Sequence, residues 1–428
     1  MSENLWSSRW TKDQIKTMLI EQYEEFWSKQ IGIDRFQLIE VEKAAKAPHS
    51  VIISGLRRVG KSTLLAQTAR RLGREAFYYL NFEDERFLGF QSKDFQHLYQ
   101  KLLEQFGERR IFIIDEIQNV PGWERFVRRF MDSNFKFYIT GSNASLLSQE
   151  LGTRLTGRYV PIELFPFSFK EFFLFNGEPL PDLKNLTTLQ KVNLKKQLDR
   201  YIQLGGVPDA LKYPELKLLK ILYDDVLYRD ITTRYSVDAV TAFKELAFFV
   251  MSNPSSLVSY NKLKENLGLG SVNTVKNFVE YLEKSWLIFT VNKYAFSVKK
   301  QQIAPKKIYC IDTGLLRAVG FHFSSDAGKM LENLVFLHLR RQTKSIFYLV
   351  TKGGLEVDFY LPETQVLIQV TYNMENQDTR EREVRALREA FKEVKVKKAL
   401  ILSDTNEDSL VVDEKVIEIR SVSEWLLD

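Results

Sequence analysis

The sequence predicts an α/β protein that opens with a parallel sheet covered by helices and continues into helical and mixed α/β modules. Two observations carry this prediction. Between residues 50 and 165, short apolar runs alternate with helical patterns, and strands separated by helices run parallel with both faces covered. Beyond residue 166 the alternation stops, helical patterns dominate, and strand-like runs return only near the C-terminus. A chain of 428 residues has room for about three domains at ~150 residues each. With 44% hydrophobic residues and only 20 glycines and 11 prolines, it can bury sizeable cores and is not a disordered chain.

The elements follow in order. Residues 1–45 are an N-terminal helical segment and linker, in which Ile15, Met18, Leu19, Tyr23, Phe26 and Trp27 recur at three- and four-residue intervals as one apolar face. Residues 46–172 hold the α/β core, with strands expected at 51–54, 76–80, 111–114 and 135–139. Residues 173–236 are helical, broken by the turn Gly205-Gly206-Val207-Pro208. Residues 237–308 hold three helical segments within 238–290, the last two at 260–267 and 271–282 around a glycine turn, followed by a basic stretch from Lys293 to Lys307 read as a hairpin. Residues 309–428 return to α/β: a helix at 330–341, strands at 346–350, 356–361 and 366–372, a charged helix at 379–392 and a strand at 399–402.

Composition narrows the function. Lysine and arginine exceed acidic residues by 61 − 55 = 6, which permits a polyanionic partner without demanding one. A single cysteine, Cys310, excludes an internal disulfide, and four scattered histidines (His49, His97, His322, His338) give no ligand set for structural zinc. No run of ~18 apolar residues appears. The expectation is an intracellular, cytoplasmic protein without membrane contact.

The segment Gly55-Leu56-Arg57-Arg58-Val59-Gly60-Lys61-Ser62 has the spacing of a phosphate-binding loop, Gly, four residues, Gly-Lys-Ser. The loop must curl so that successive N–H groups point at a phosphate, and a helix starting there adds its positive dipole end. Gly55, Arg57, Arg58, Val59, Gly60, Lys61, Ser62 and Thr63 are therefore the expected ATP-binding residues. Lys61 reaches the β- and γ-phosphates and Ser62 offers a hydroxyl to Mg²⁺. The run 111–114 ends in Asp115-Glu116, at the carboxyl end of a strand, where open α/β sheets bind ligands. Asp115 would hold Mg²⁺ through water, and Glu116 would orient or deprotonate the attacking water. The next strand ends in Thr140-Gly141-Ser142-Asn143. Asn143 or Ser142 serves there as a γ-phosphate sensor, as a helix N-cap, or as both.

These segments, with Asn81-Phe82-Glu83-Asp84, Asp115-Glu116-Ile117-Gln118, Trp123 and the run 164–172, resemble the prokaryotic AAA-type P-loop ATPases that carry an additional C-terminal domain. The resemblance implies a P-loop ATPase core with a helical lid and assembly as a homo-oligomer, a hexamer being one form. It also implies arginine fingers reaching a neighbouring subunit's γ-phosphate, and Arg154 and Arg158 match those positions; the plain alternative is two surface arginines. By the same analogy, residues 31–35 would line the adenine pocket.

The helix pair at 260–282 looks like a winged helix. Its outward residues Asn273, Thr274, Lys276 and Asn277 would face a DNA groove, and Lys299, Lys300, Lys306 and Lys307 would meet phosphates. The last domain resembles the PD-(D/E)XK nuclease fold, with Glu332 and Asp358 at two acidic positions. Gln369 replaces the usual second acid, and Thr371 stands where a lysine belongs; Lys352 is the nearest substitute. Together these features predict a Mg²⁺-dependent ATPase acting on DNA, including branched DNA or repair intermediates. A nucleotide-gated switch for a protein partner and an ATP-gated nuclease compete with it.

Overall fold

The computed structural model describes residues 10–141, 157–320, 327–404 and 408–428, with Trp6 and Leu155. The chain divides into two compact units, Met1–Leu164 and Phe165–Asp428. Ser142, Asn143 and Arg154 lie outside the described residues.

In the first unit, α1 (Lys12–Ser28) begins at Thr11, whose hydroxyl accepts from the Gln14 N–H while the Gln14 side chain accepts from the Thr11 N–H. This capping box fixes the helix start. Ile15, Met18, Leu19, Tyr23 and Phe26 are buried, and Phe26 stacks on Tyr79 with centroids 3.8 Å apart. Trp27 is only half buried and instead carries the Arg70 guanidinium 4.0 Å over its ring.

Then come α2 (Gln37–Ala45), β1 (Ser50–Ser54), α3 (Lys61–Leu72), β2 (Phe77–Asn81), α4 (Phe95–Phe106), β3 (Ile111–Asp115), α5 (Trp123–Asp132), β4 (Lys136–Gly141) and β5 (Tyr159–Glu163). The sheet order is β2-β3-β4-β1-β5 and every neighbouring pair is parallel. All five residues of β1 are buried, as a strand covered on both faces requires. Edge strand β5 was absent from the sequence expectation because Pro161 interrupts its run, and an edge position tolerates that missing N–H.

The second unit starts with α6 (Phe169–Phe175), α7 (Thr188–Leu204), α8 (Pro208–Lys212) and α9 (Leu218–Asp225), which runs on into the π-helical stretch Val226–Thr233. Next are α10 (Val240–Ser252), β6 (Ser256–Val258), α11 (Tyr260–Asn266), α12 (Val272–Lys284), β7 (Ile288–Lys293), α13 (Val298–Ile303), β8 (Lys306–Cys310), α14 (Thr313–Val319) and α15 (Ala327–Gln342). The last elements are β9 (Phe347–Val350), β10 (Glu356–Leu361), β11 (Val366–Val370), α16 (Gln377–Ala390), β12 (Lys398–Ser403), β13 (Asp408–Val412), β14 (Lys415–Ser421) and α17 (Val422–Trp425).

The strands form one nine-stranded sheet, β13-β14-β12-β11-β10-β9-β7-β8-β6. β9, β10 and β11 form an antiparallel meander, and α16 returns the chain to β12, parallel to β11. β7 joins β9 through Asn292–Phe347 and Lys293–Tyr348. The sheet is thus continuous across the expected boundary at 308/309, which falls inside β8. The stretch 293–307 is not a plain hairpin: β7 and β8 pair antiparallel, but α13 stands between them.

Helix α15 is buried all round from residue 330 to 337, as a helix in the middle of a core must be. Its Asn333 accepts from the Cys310 N–H at 2.7 Å and donates to the Cys310 carbonyl at 3.0 Å, joining α15 to β8.

The turn after α7 packs against Asp312, the N-cap of α14, whose carboxylate accepts from the Gly206 N–H at 2.6 Å and the Leu315 N–H at 2.9 Å. Gly205 has φ +74°, and a Cβ there would overlap the Asp312 carboxylate. Gly205→Ala should therefore destabilise the protein by more than the ~1 kcal/mol that a left-handed alanine alone costs. Urea unfolding tests this. An unchanged midpoint would mean that the turn does not need glycine.

Candidate active site

In a parallel sheet all strands end on one edge, and β1, β3 and β4 deliver the expected chemistry there. The loop after β1 leaves Gly60 at φ +94° and Arg58 at φ +62°, both left-handed, so that α3 can start at Lys61. Gly55 serves close approach: a Cβ on it would overlap the Leu164 carbonyl. The Lys61 ammonium is 5% exposed, donates to the Gly55 and Leu56 carbonyls at 3.2 and 3.1 Å, and lies 4.0 Å from Glu116 Oε1. It rests on the loop's own carbonyls at the position from which it would meet a phosphate.

Asp115 is buried at the end of β3. Burial and the neighbouring Glu116 raise its carboxyl above the ordinary range, while Ser62 and the Thr140 hydroxyl pull it down. The two expected Mg²⁺ residues, Ser62 and Asp115, thus act on one another electrostatically. Glu116 follows at φ +51°. Its N–H donates to the Thr140 hydroxyl at 3.2 Å, and its carboxylate accepts from the Gln118 side chain. The Thr140 hydroxyl in turn donates to Asp115.

Three residues at this site, Thr140, Gln118 and Gln67, carried no assigned role in the sequence reading, and Arg35 was placed there only by analogy, among those lining the adenine pocket. Thr140 was named only as part of its motif, yet it links Asp115 and Glu116 to β4. Gln118 holds Glu116. Arg35, 3% exposed, donates to the Val59 carbonyl of the loop at 2.7 Å. Gln67 of α3 donates to the Ile31 and Ile33 carbonyls at 2.8 and 2.6 Å and accepts from the Arg35 N–H at 3.2 Å, tying residues 31–35 to the loop helix. Contacts 24 to 36 residues apart leave no sequence periodicity to read.

Arg57 lies 3.8 Å from Glu83. Arg158 is exposed, pairs with Asp132, and sits just before β5, its carbonyl accepting from the Ser50 N–H. That is the amino end of β1 and β5. At ~3.3 Å per residue, a five-residue strand puts it roughly 16 Å from the edge that holds its own phosphate loop.

A second cluster lies in the other unit, and it corrects two expectations. Lys307, expected to be an exposed phosphate contact, is 2% exposed. Its ammonium lies 2.7 Å from Glu332, 2.6 Å from Glu356 and 2.9 Å from Asp358. Alternation along β8 points it inward. Lys306 is half buried and donates to Asn292 and the Gln301 carbonyl, whereas Lys276, Lys299 and Lys300 are exposed.

Gln369 is not free to be a metal ligand: its Oε1 accepts from the Asp358 N–H at 3.0 Å and its amide donates to Glu383 and the Glu356 carbonyl. Lys352 is exposed in a turn, so the ammonium at the acidic cluster comes from β8 instead. Burial pulls Lys307 down, but Asp358, Glu332 and Glu356 hold it well above the ordinary lysine range. Burial and Asp358 push Glu332 up to about 8, against Lys307 and the Tyr309 hydroxyl, which donates to it at 2.7 Å. Burial thus disposes Glu332 toward its neutral form, and Lys307 lies against Asp358 and Glu356 as well.

Comparison with known proteins places these features. Residues 47–173 match the model of an AAA domain, and residues 195–326 and 327–422 match two domains of unknown function (DUF8612 and DUF4143). An uncharacterized protein of Methanocaldococcus jannaschii, MJ1544, is 35% identical over 395 residues, covering 88% of each chain. An uncharacterized protein of Haemophilus influenzae is 33% identical over 337 residues, covering 74% of this chain and 81% of that one. The solved Walker-type ATPase PABY2304 of Pyrococcus abyssi is 16% identical, with a TM-score of 0.42 over 67% of this chain and 95% of that one.

The buried cluster generates a stability test. Lys307→Met leaves Asp358 and Glu356 without their cation and should cost about 3–5 kcal/mol in urea unfolding at pH 7. Glu332→Gln keeps the size of a side chain that burial disposes toward its neutral form and should cost less than ~1.5 kcal/mol. Equal losses in the two variants would contradict that disposition.

Proposed function

This chain belongs to the same family as these archaeal and bacterial proteins, its residues 47–173 form an AAA-type nucleotide-binding domain, and we propose that it hydrolyses ATP as a homo-oligomer acting on DNA in the cytoplasm. The observation that carries the ATPase reading is the meeting of Lys61, Asp115, Glu116 and Thr140 at one sheet edge, with Lys61 Nζ 4.0 Å from Glu116. Gly60 and its neighbours receive the phosphates on backbone N–H groups, and Lys61 exchanges the loop carbonyls for phosphate oxygens. Ser62 and Asp115 would hold Mg²⁺, which when bound neutralises charge on those oxygens. Glu116, steadied by Gln118 and by the Thr140 hydroxyl, takes a proton from the attacking water.

Placement of Arg158 supports assembly. At the opposite end of β5 from its own phosphate loop it serves hydrolysis only in a neighbouring subunit, after leaving Asp132.

The DNA reading draws on the second unit. Helix α10, strand β6, helices α11 and α12, and the antiparallel strands β7 and β8 follow the element order of a winged helix. The outward face of α12 offers Asn273, Lys276 and Asn277, all exposed, as a recognition helix does. Helix α15, the meander β9-β10-β11, helix α16 and parallel strand β12 have the order expected of a nuclease-like fold. Gln369 replaces the second acid and is committed to Asp358, Glu383 and the Glu356 carbonyl, which favours a domain that holds DNA over one that cuts it.

Glu116→Gln should still bind ATP and lose at least ~100-fold in turnover, since only water activation is removed; near-normal turnover would refute its role. Arg158→Ala should bind ATP normally and hydrolyse it poorly. Mixing it with Lys61→Ala should restore part of the activity, because each protein supplies the group that the other lacks. If mixtures that demonstrably exchange subunits stay inactive, Arg158 is not a finger.

A further inference from the structure

The segment between β7 and β8 carries an unusual surface. Phe296 is 87% exposed, with Val298 at 67% and Ile303 at 72%, and Lys299 and Lys300 are exposed between those two apolar residues. The tip is built firmly. Phe296 rests edge-on against Tyr294 at 5.6 Å, and Tyr294 packs against Phe347 and Tyr360 at 5.7 and 4.7 Å. The Gln301 amide donates to the Ala295 carbonyl at 2.7 Å, and the Tyr294 N–H donates to the Tyr348 carbonyl at 2.7 Å. The Lys306 ammonium closes the turn from below, on Asn292 and the Gln301 carbonyl. An apolar ring is therefore held out on a braced stalk, with cations beside it.

Charge complementarity selects the occupant. Exposed Lys299 and Lys300 border the ring and make the tip basic. A narrow apolar wedge inside a basic region matches duplex DNA, where such side chains enter between base pairs, unstack a step and kink the helix while lysines hold the flanking phosphates.

We propose that Phe296 is a wedge that inserts into a base step of duplex DNA, with Lys299 and Lys300 on the adjoining phosphates. This rests on the DNA reading above and adds to it a deformation of the bound duplex at this tip. Pyrimidine–purine steps, the easiest to unstack, are its preferred entry points.

The test uses the full-length protein and 30-base-pair duplexes carrying 2-aminopurine beside a central TA step, whose fluorescence rises on unstacking. Wild type should raise the signal about three-fold or more at saturation. Phe296→Ala should bind within about three-fold of the wild-type affinity and with the same salt slope, because phosphate contacts remain, yet leave the fluorescence flat. Phe296→Trp should restore the rise. Wild type that saturates these duplexes without unstacking them, or Phe296→Ala that unstacks them equally, overturns the wedge and leaves the DNA reading standing. Wild type that binds no duplex at low salt overturns both. Sedimentation of both proteins adds one further outcome: dissociation of the assembly by Phe296→Ala, with no unstacking by wild type, makes the tip a contact between copies and overturns the wedge.

Discussion

Strand polarity is the constraint on which the first unit depends. A parallel sheet sends every carboxyl end to one edge, so residues 55, 115 and 140, far apart in sequence, become neighbours once β1, β3 and β4 lie side by side. The loop after β1 then needs left-handed backbone at positions 58 and 60 to bring its N–H groups inward. Thr140 supplies the remaining link, since its one hydroxyl donates to Asp115 and accepts from the Glu116 N–H. Remove the polarity and each motif remains in the sequence with no site to form.

The second unit is organised around charge inside an apolar core. Lys307 on β8, Glu332 on α15, and Glu356 and Asp358 on β10 come from three elements of one packed unit. Gln369 and the Val370 N–H orient Asp358 from β11. Such a cluster is costly to bury and costlier to break, because loss of one partner strands the others. It holds α15 to the sheet.

Much of the first site was legible in the sequence because its chemistry fixes residue types at fixed spacings: an apolar strand, a glycine loop with lysine and serine, an apolar strand ending in two acids. Thr140, Arg35 and Gln67 were less legible, since they act through hydrogen bonds to residues 24 to 36 positions away, and Gln118 because its bond to Glu116 is one that any polar residue there advertises equally. Lys307 shows the limit most clearly. It sits beside Lys306 in a basic stretch, and only the period-two alternation of β8 separates the lysine turned inward from its neighbour. Its partners lie 25 to 51 residues away. Strand β5 was hidden by Pro161. Strands β13 and β14, half exposed with charges along their faces, lacked the apolar run that marked their buried neighbours.

We propose that nucleotide turnover in one unit is coupled to DNA held by the other. Steady-state ATP hydrolysis of the full-length protein in Mg²⁺, with and without single-stranded, duplex and four-way DNA, tests this coupling. Turnover should be measurable and at least one of these DNAs should stimulate it several-fold, with the stimulation fading as salt rises and phosphate contacts are lost. Turnover that is the same with every DNA at low salt would contradict it and turn attention to a protein partner.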